Sequence, residues 1–321
     1  MAARKRDKRR RATFQDYEKW CGGRGMVSVP ASTVAVGSYL VASVERLKGS
    51  SRSLDQRLSQ LRVHVKRRWG VQMWLDDEGE VEVKEVTRVL KFFDLSEVKR
   101  ARPLTQKLLD KLLKLRDDSS AVSMMLRTVY SVGHDALMRG GELTSGLMRG
   151  DVEQHWDKKG FRLRLDRTKT VREGGPARAQ IRERGNGDKE SGAYHLRKWL
   201  GKTNPSDIAD QALFPQLVFE GGRPVGFNRK APLTKEALVK ALRYDLDSLG
   251  IIMSKEYTGH SFRAGGATDL FASGMITLEQ IMKVGRWQSA AAALVYFRDE
   301  LISADIAARA FASSCETQTR K

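Results

Sequence analysis

Residues 259–298 read GHSFRAGGATDLFASGMITLEQIMKVGRWQSAAAALVYFR, and this stretch decides how the chain is read. His260 and Arg263 stand three residues apart after Gly259, the spacing of neighbours on one helix face. Thr277 and Gln280 have the spacing of a capping box, which opens a short helix that Gly285 can close. Trp287 follows, and Tyr296 lies nine residues beyond it. The set comprises a group that can carry a proton at cellular pH, a planar fork of phosphate donors, an indole N–H that only donates, and a phenol. Together they suit attack on a phosphodiester without metal or ATP. Taken singly, each has an ordinary explanation. Tyr296 could be a core aromatic after the apolar run Ala290–Leu294, Trp287 a packing residue, and the His–Arg pair part of a basic surface helix.

Two further groups complete the chemistry. Breaking a DNA strand without water needs an in-line nucleophile, cations on the non-bridging oxygens, and a proton for the departing 5′ oxygen. A phenol is mostly protonated at neutral pH and needs a nearby base or a cationic field to attack. Arg139 lies in ALMRGGELTSG, with Glu142 placed three residues on to orient it. Lys169 lies in DRTKTVREGG at the end of an expected strand, where a lysine on a hairpin tip can donate a proton to a leaving oxygen. In a chain with 58 Lys and Arg, either could equally be solvated charge.

The bulk composition agrees with a polyanionic partner. The chain has 321 residues, enough for two domains, with a formal charge of +19 and a pI near 10.0. Nucleic acid is the first candidate and an anionic membrane surface the second. No apolar run approaches the ~20 residues of a membrane span, and the charged start lacks the apolar stretch of a secretory signal. Cys21 and Cys315 make no disulfide framework, and no Cys or His spacing suits a metal. No cofactor and no metal is expected, in an intracellular, reducing setting.

Along the chain, residues 1–13 form a basic stretch (Arg4, Lys5, Arg6, Lys8 to Arg11) expected to be a disordered tail, readable as a phosphate contact or a nuclear address. Residues 14–102 read as a helical domain. Ser32 can cap a helix carrying Val36, Leu40, Val44 and Leu47, and Ser53 one carrying Leu54, Leu58, Leu61 and Val65. A third helix fits residues 81–93. Pro103 disfavours helix at Arg102, which sets the boundary of a second domain, 103–321. There Thr105 begins a helix, residues 120–132 form another, and Phe161, Leu163 and Leu165 alternate with charged residues as a strand does. A partner strand at 179–181 would close a hairpin, and helices return at 194–200 and 235–249. The expected class is mainly α: a helical N-terminal domain and an α+β C-terminal domain with a small sheet.

In order, the six residues are Arg139, Lys169, His260, Arg263, Trp287 and Tyr296. With the segments LMRGGEL, DRTKT, GHSFR and VGRW, this set resembles the tyrosine recombinase (phage integrase) family, most closely its Cre-type site-specific recombinases. The resemblance covers residues about 105–310. It implies that Arg139 and Arg263 clamp the scissile phosphate, that Lys169 protonates the 5′ oxygen, that His260 handles the tyrosine proton, and that Tyr296 forms a 3′-phosphotyrosine. Glu142 would support Arg139. Trp287 would stand where many members have His. It further implies a core-binding domain at 14–102 that clamps duplex DNA against the catalytic domain, and binding sites arranged as inverted repeats. A dimer would occupy each site, a homotetramer two sites, with exchange through a Holliday junction. A C-terminal helix at about 300–312 would dock into a neighbouring protomer, or pack in cis. The protein would be DNA-associated, in the nucleus of a eukaryotic host or otherwise in the cytoplasm or nucleoid. Gly140 and Gly141 depart from the family, where bulkier residues are usual, and lead one to expect a loosened helix start beside Arg139. A type IB topoisomerase, a transposon-type integrase from a mobile element and an inactive DNA-binding derivative stay open as alternatives.

Overall fold

A computed structural model describes residues 2–47, 53–73, 77–92, 100–117, 119–144, 147–165, 177–185, 188–202 and 211–296. The chain divides into two compact units, Met1–Lys99 and Arg100–Lys321.

The first unit contains α1 (Ala2–Gly22), α2 (Thr33–Leu47), α3 (Leu54–Trp69) and α4 (Asp77–Phe92). α1 packs on α3, and α2 on α4. Residues one turn apart meet in the core: Phe14, Tyr17 and Cys21 from α1, Val36, Tyr39 and Leu40 from α2, Leu54, Leu58, Leu61 and Val65 from α3, and Val83 from α4. α3 stops where Gly70 turns left-handed (φ 72°) and donates its N–H to the Lys66 carbonyl. The basic residues Lys66, Arg67 and Arg68 sit in its last turn, where the helix dipole favours them.

The basic stretch 1–13, expected as a tail, falls within α1, which runs from Ala2. The reason is cooperative. The packed half of α1 around Phe14 and Tyr17 supplies the nucleus, so each added turn of good helix formers such as Ala, Arg and Lys costs no further nucleation. Asp7 adds ion pairs to Arg11 (4.0 Å) and to Arg67 of α3 (3.8 Å).

The second unit is built around α6 (Ala121–Asp135), which is buried along almost its whole length. Around it stand α5 (Gln106–Leu115), α8 (Gly192–Lys202), α9 (Lys235–Ser248) and α10 (Ser261–Ala272). Ser120 caps α6 by accepting from the Ser123 N–H, and Thr234 caps α9 through the Ala237 N–H. An antiparallel sheet joins β1 (Val152–Gln154), β2 (Gly160–Leu165) and β3 (Ala177–Arg182) in that order. In the β2–β3 register Phe161 faces Ile181 and Leu163 faces Ala179, so all four apolar side chains lie on the buried face. This is the hairpin that the alternation predicts.

A second hairpin, β4 (Pro215–Glu220) with β5 (Arg223–Pro232), is absent from the sequence reading. Its two-residue turn is Gly221-Gly222, both at positive φ (52° and 88°), the combination a tight hairpin demands. The remaining α-helices among the described residues are α7 (Gly140–Thr144), α11 (Leu278–Gly285) and α12 (Ala290–Leu294). The expected helix at about 300–312 lies outside the described residues. Among those that are described, no helix is long and apolar enough to cross a membrane.

Candidate active site

Three chain segments meet at one place: the turn between α6 and α7, the start of α10, and the segment from the end of α11 through α12 to Tyr296. The first meeting is backbone to backbone. The Gly140 N–H donates to the Gly259 carbonyl at 2.6 Å, and a Cβ on Gly140 would lie 2.7 Å from the Gly259 Cα. Gly140 therefore does not loosen the segment, as its helix propensity suggests. It lets the Arg139 segment seat directly against the residue before His260.

Arg139 is fixed from within its own turn. Its backbone N–H donates to Glu142 Oε2 at 2.9 Å and its Nη1 to Glu142 Oε1 at 2.7 Å. Burial alone would raise the Glu142 pKa, but Arg286 and then Arg139 outweigh it and hold the carboxyl below its ordinary value.

Arg263 is fully buried on α10, three residues after His260, which forms the helix N-cap. Its Nη1 donates to the Leu137 carbonyl at 2.7 Å. Its Nε and Nη2 have no hydrogen-bond partner among the described residues. The guanidinium carbon lies 3.8 Å from the centre of the Trp287 ring and 5.4 Å from that of Tyr296. Burial, then the cations Arg139 and Arg286, press its pKa down to about 9. An anion between these groups would offset that penalty.

The aromatic pair comes from the last segment. Thr277 and Gln280 form the expected capping box, with bonds of 3.3 and 2.8 Å. The end of α11 differs from expectation. The left-handed residue is Arg286 (φ 60°, ψ 41°), not Gly285. Gly285 is required for another reason: the Trp287 ring lies where its Cβ would be. Trp287 is buried, and its ring centre is 5.3 Å from that of Tyr296. The Tyr296 hydroxyl stands 3.4 Å from His260 Nδ1, a long contact of the kind that tightens when a reacting group arrives.

No protein-family model matches the sequence, and no curated protein does so either. Solved structures do match in shape. The XerH site-specific recombinase, bound to its palindromic difH substrate in a post-cleavage complex, aligns with a TM-score of 0.54 at 16% identity over 84% of this chain and 67% of its own. The Tn1549 transposon integrase, in complex with a circular intermediate DNA, gives 0.54 at 13% identity, covering 92% and 98%. A lambda integrase dimer bound to a core site gives 0.50 at 16%, covering 89% and 87%. The fold is that of the tyrosine recombinases.

Within this tyrosine recombinase fold, Arg139, Glu142, His260, Arg263, Trp287 and Tyr296 come together as one cluster. Lys169 lies outside the described residues. Sequence reading missed Arg286. Its Nη2 donates to Glu142 Oε2 at 2.9 Å and its Nη1 to the Ala136 carbonyl at 3.1 Å, so a third guanidinium shares the carboxylate that holds Arg139. Its place beside Trp287 in VGRW was the available signal, but one more arginine in so basic a chain draws no notice. Among the described residues no group of three or more His, Cys, Asp or Glu side chains is placed to hold a metal ion.

Proposed function

We propose that this protein is a site-specific DNA recombinase that cuts and rejoins strands through Tyr296. The observation that carries the reading is Arg263: a fully buried guanidinium with two unmet donor atoms, stacked on Trp287 and close to the Tyr296 ring. Such a group is costly unless an anion binds there, and a phosphodiester supplies a delocalised charge with oxygens for both donors.

The reaction runs as follows. Tyr296 Oη attacks phosphorus while its proton passes to His260 Nδ1. The bond from phosphorus to the 5′ oxygen breaks, and that oxygen takes a proton from Lys169. Arg139 and Arg263 hold the non-bridging oxygens and stabilise the charge that grows in the pentacoordinate transition state. The Trp287 indole N–H is a further donor to the phosphate. The product is a 3′-phosphotyrosine and a free 5′ hydroxyl. Attack by a 5′ hydroxyl from a second duplex reverses the step and joins new partners, so no cofactor is consumed.

The partner is double-stranded DNA with inverted-repeat sites, a dimer on each and a tetramer on two, with exchange through a Holliday junction. The Met1–Lys99 unit is the core-binding half, and the +19 charge supplies the phosphate contacts, so affinity falls steeply with salt. The protein works wherever its DNA is, in a nucleus if the host is eukaryotic. A transposon-type integrase would use the same chemistry.

The test begins with selection of bound duplexes from a random pool. The recovered site is then built as a nicked suicide duplex, and protein–DNA adducts stable to detergent are measured. Wild-type protein should form the adduct, and Tyr296→Phe should bind with unchanged affinity but form none, a loss of at least about 10⁴-fold. An undiminished adduct in Tyr296→Phe would overturn the assignment. Binding without any adduct would favour an inactive DNA-binding derivative. Relaxation of plasmids lacking the site would favour a topoisomerase.

A further inference from the structure

Arg286 has a costly backbone and a buried charge, and both point to use. A helix that ends on a left-handed residue normally ends on glycine. Among the described residues only Leu137, Lys158 and Arg286 hold positive φ without being glycine. Two of these three are bonded to each other: Arg286 Nη2 lies 3.4 Å from the Leu137 carbonyl, and its Nη1 3.1 Å from that of Ala136. The Leu137 carbonyl also accepts the Nη1 of Arg263. On its other side Arg286 reaches Glu142 Oε2, while Glu142 Oε1 holds Arg139. Its side chain is 12% exposed and that of Glu142 5%. With its donors engaged by three carbonyls, of Ala136, Leu137 and its neighbour Val284, and by a carboxylate, Arg286 does not itself present a fork to the substrate.

We propose that Arg286 is a positioning residue of strand cleavage: through Glu142 it fixes the Arg139 guanidinium, and through the Ala136 and Leu137 carbonyls it ties the phosphate-binding turn to the turn that delivers Trp287 and Tyr296. The proposal rests on the recombinase reading and adds a part to it. Glycine would satisfy the backbone at this position better than arginine does, so the side chain is what the position retains. Without it, Glu142 holds one cation in place of two, and the turn before Tyr296 loses its bonds to the end of α6. The two cations and the phenol would then stop approaching phosphorus as one rigid set.

The variant Arg286→Gly keeps the left-handed turn and removes the fork. On the suicide duplex carrying the selected site, its dissociation constant should stay within about threefold of wild type, while the rate of adduct formation at saturating DNA falls about 10- to 100-fold. Arg286→Lys keeps length and charge but cannot span Glu142 and the carbonyls together, so it should fall between the two. It also serves as the test if the glycine variant folds poorly. Combining Arg286→Gly with Glu142→Gln separates positioning from packing. Because Arg286 acts in part through Glu142, the double variant should lose clearly less than the sum of the two single losses; fully additive losses would mean a role unrelated to Glu142 and overturn the proposal. So would an Arg286→Gly protein that cleaves at the wild-type rate. If the wild-type protein forms no adduct, the recombinase reading fails first and this proposal with it. Normal wild-type cleavage with unimpaired variants removes the proposal alone.

Discussion

Arg116 and Arg263 are both buried in the second unit, and their surroundings are opposite. Arg116 meets Asp245 with two donors, Nε at 3.1 Å from Oδ2 and Nη2 on Oδ1, and Tyr130 adds its hydroxyl to the same carboxylate at 2.9 Å. Burial would lower the Arg116 pKa, but Asp245 more than offsets it and the value is raised. Arg263 has one carbonyl, two aromatic faces and two other arginines nearby, and its pKa is pressed downward. The first arginine is neutralised by its own fold and pins α5, α6 and α9 together. The second has no carboxylate bonded to it among the described residues, and the more distant Glu142 only partly offsets its burial. That contrast is what the proposed function uses: a phosphodiester bound at Arg263 would supply the carboxylate-like partner that Arg116 already has.

The comparison can be broken at several points. The largest effect is the loss of adduct in Tyr296→Phe, since it removes the acceptor of the bond. Next comes Arg263→Met. It should slow adduct formation by about 10³-fold, because the donors at the growing charge are gone. The same change should leave the melting temperature unchanged or higher, because it removes an unpaired buried charge. A calorimetric scan showing marked destabilisation would mean that Arg263 is structural after all. Arg116→Met should behave inversely. It strands Asp245 and should cost about 3 kcal/mol in denaturant unfolding, while protein that is still folded cleaves DNA near the wild-type rate.

The smallest effect concerns a second satisfied cluster. His134 lies 3.1 Å from Asp135 and 2.9 Å from Asp269, and Asp135 also meets Arg184 and the Gly192 N–H. Burial would lower the His134 pKa, but hydrogen bonds to both aspartates raise it. A raised folded-state pKa contributes stability that is full below the ordinary histidine value and is lost as pH rises through the folded one. The melting temperature should therefore decline with alkalinity over that window. His134→Gln should flatten that limb and cost about 1 to 2 kcal/mol at lower pH. An unchanged pH profile would show that the imidazole is neutral throughout.

Much of the fold was legible because its signals are local. The heptad-like spacing of Leu54, Leu58, Leu61 and Val65 depends only on the helical repeat, and the alternation of Phe161, Leu163 and Leu165 only on the pleat. The β4–β5 hairpin was missed although Gly221-Gly222 marks its turn, because its strands alternate poorly. Val218 and Val225 are exposed, and the pairing is interrupted by register shifts. The start of α1 was missed for the opposite reason. A highly charged segment has no apolar pattern of its own and takes its conformation from the packed turns that follow it.

The sequence alone determined which chemical groups exist and their spacing: His260 one turn before Arg263, Glu142 three residues after Arg139, and Tyr296 nine after Trp287. Those relations are set by covalent distance and by the helix repeat. Only the tertiary structure decided which arginine meets a carboxylate directly, as Arg116 does, and which is buried against aromatic rings, as Arg263 is. It also decided that Gly140 must be small because Gly259 lies against it, and that Arg286 shares a carboxylate with a residue 147 positions earlier in the chain. Burial and electrostatic compensation are properties of neighbours in space, and here those neighbours come from segments that covalent order keeps far apart.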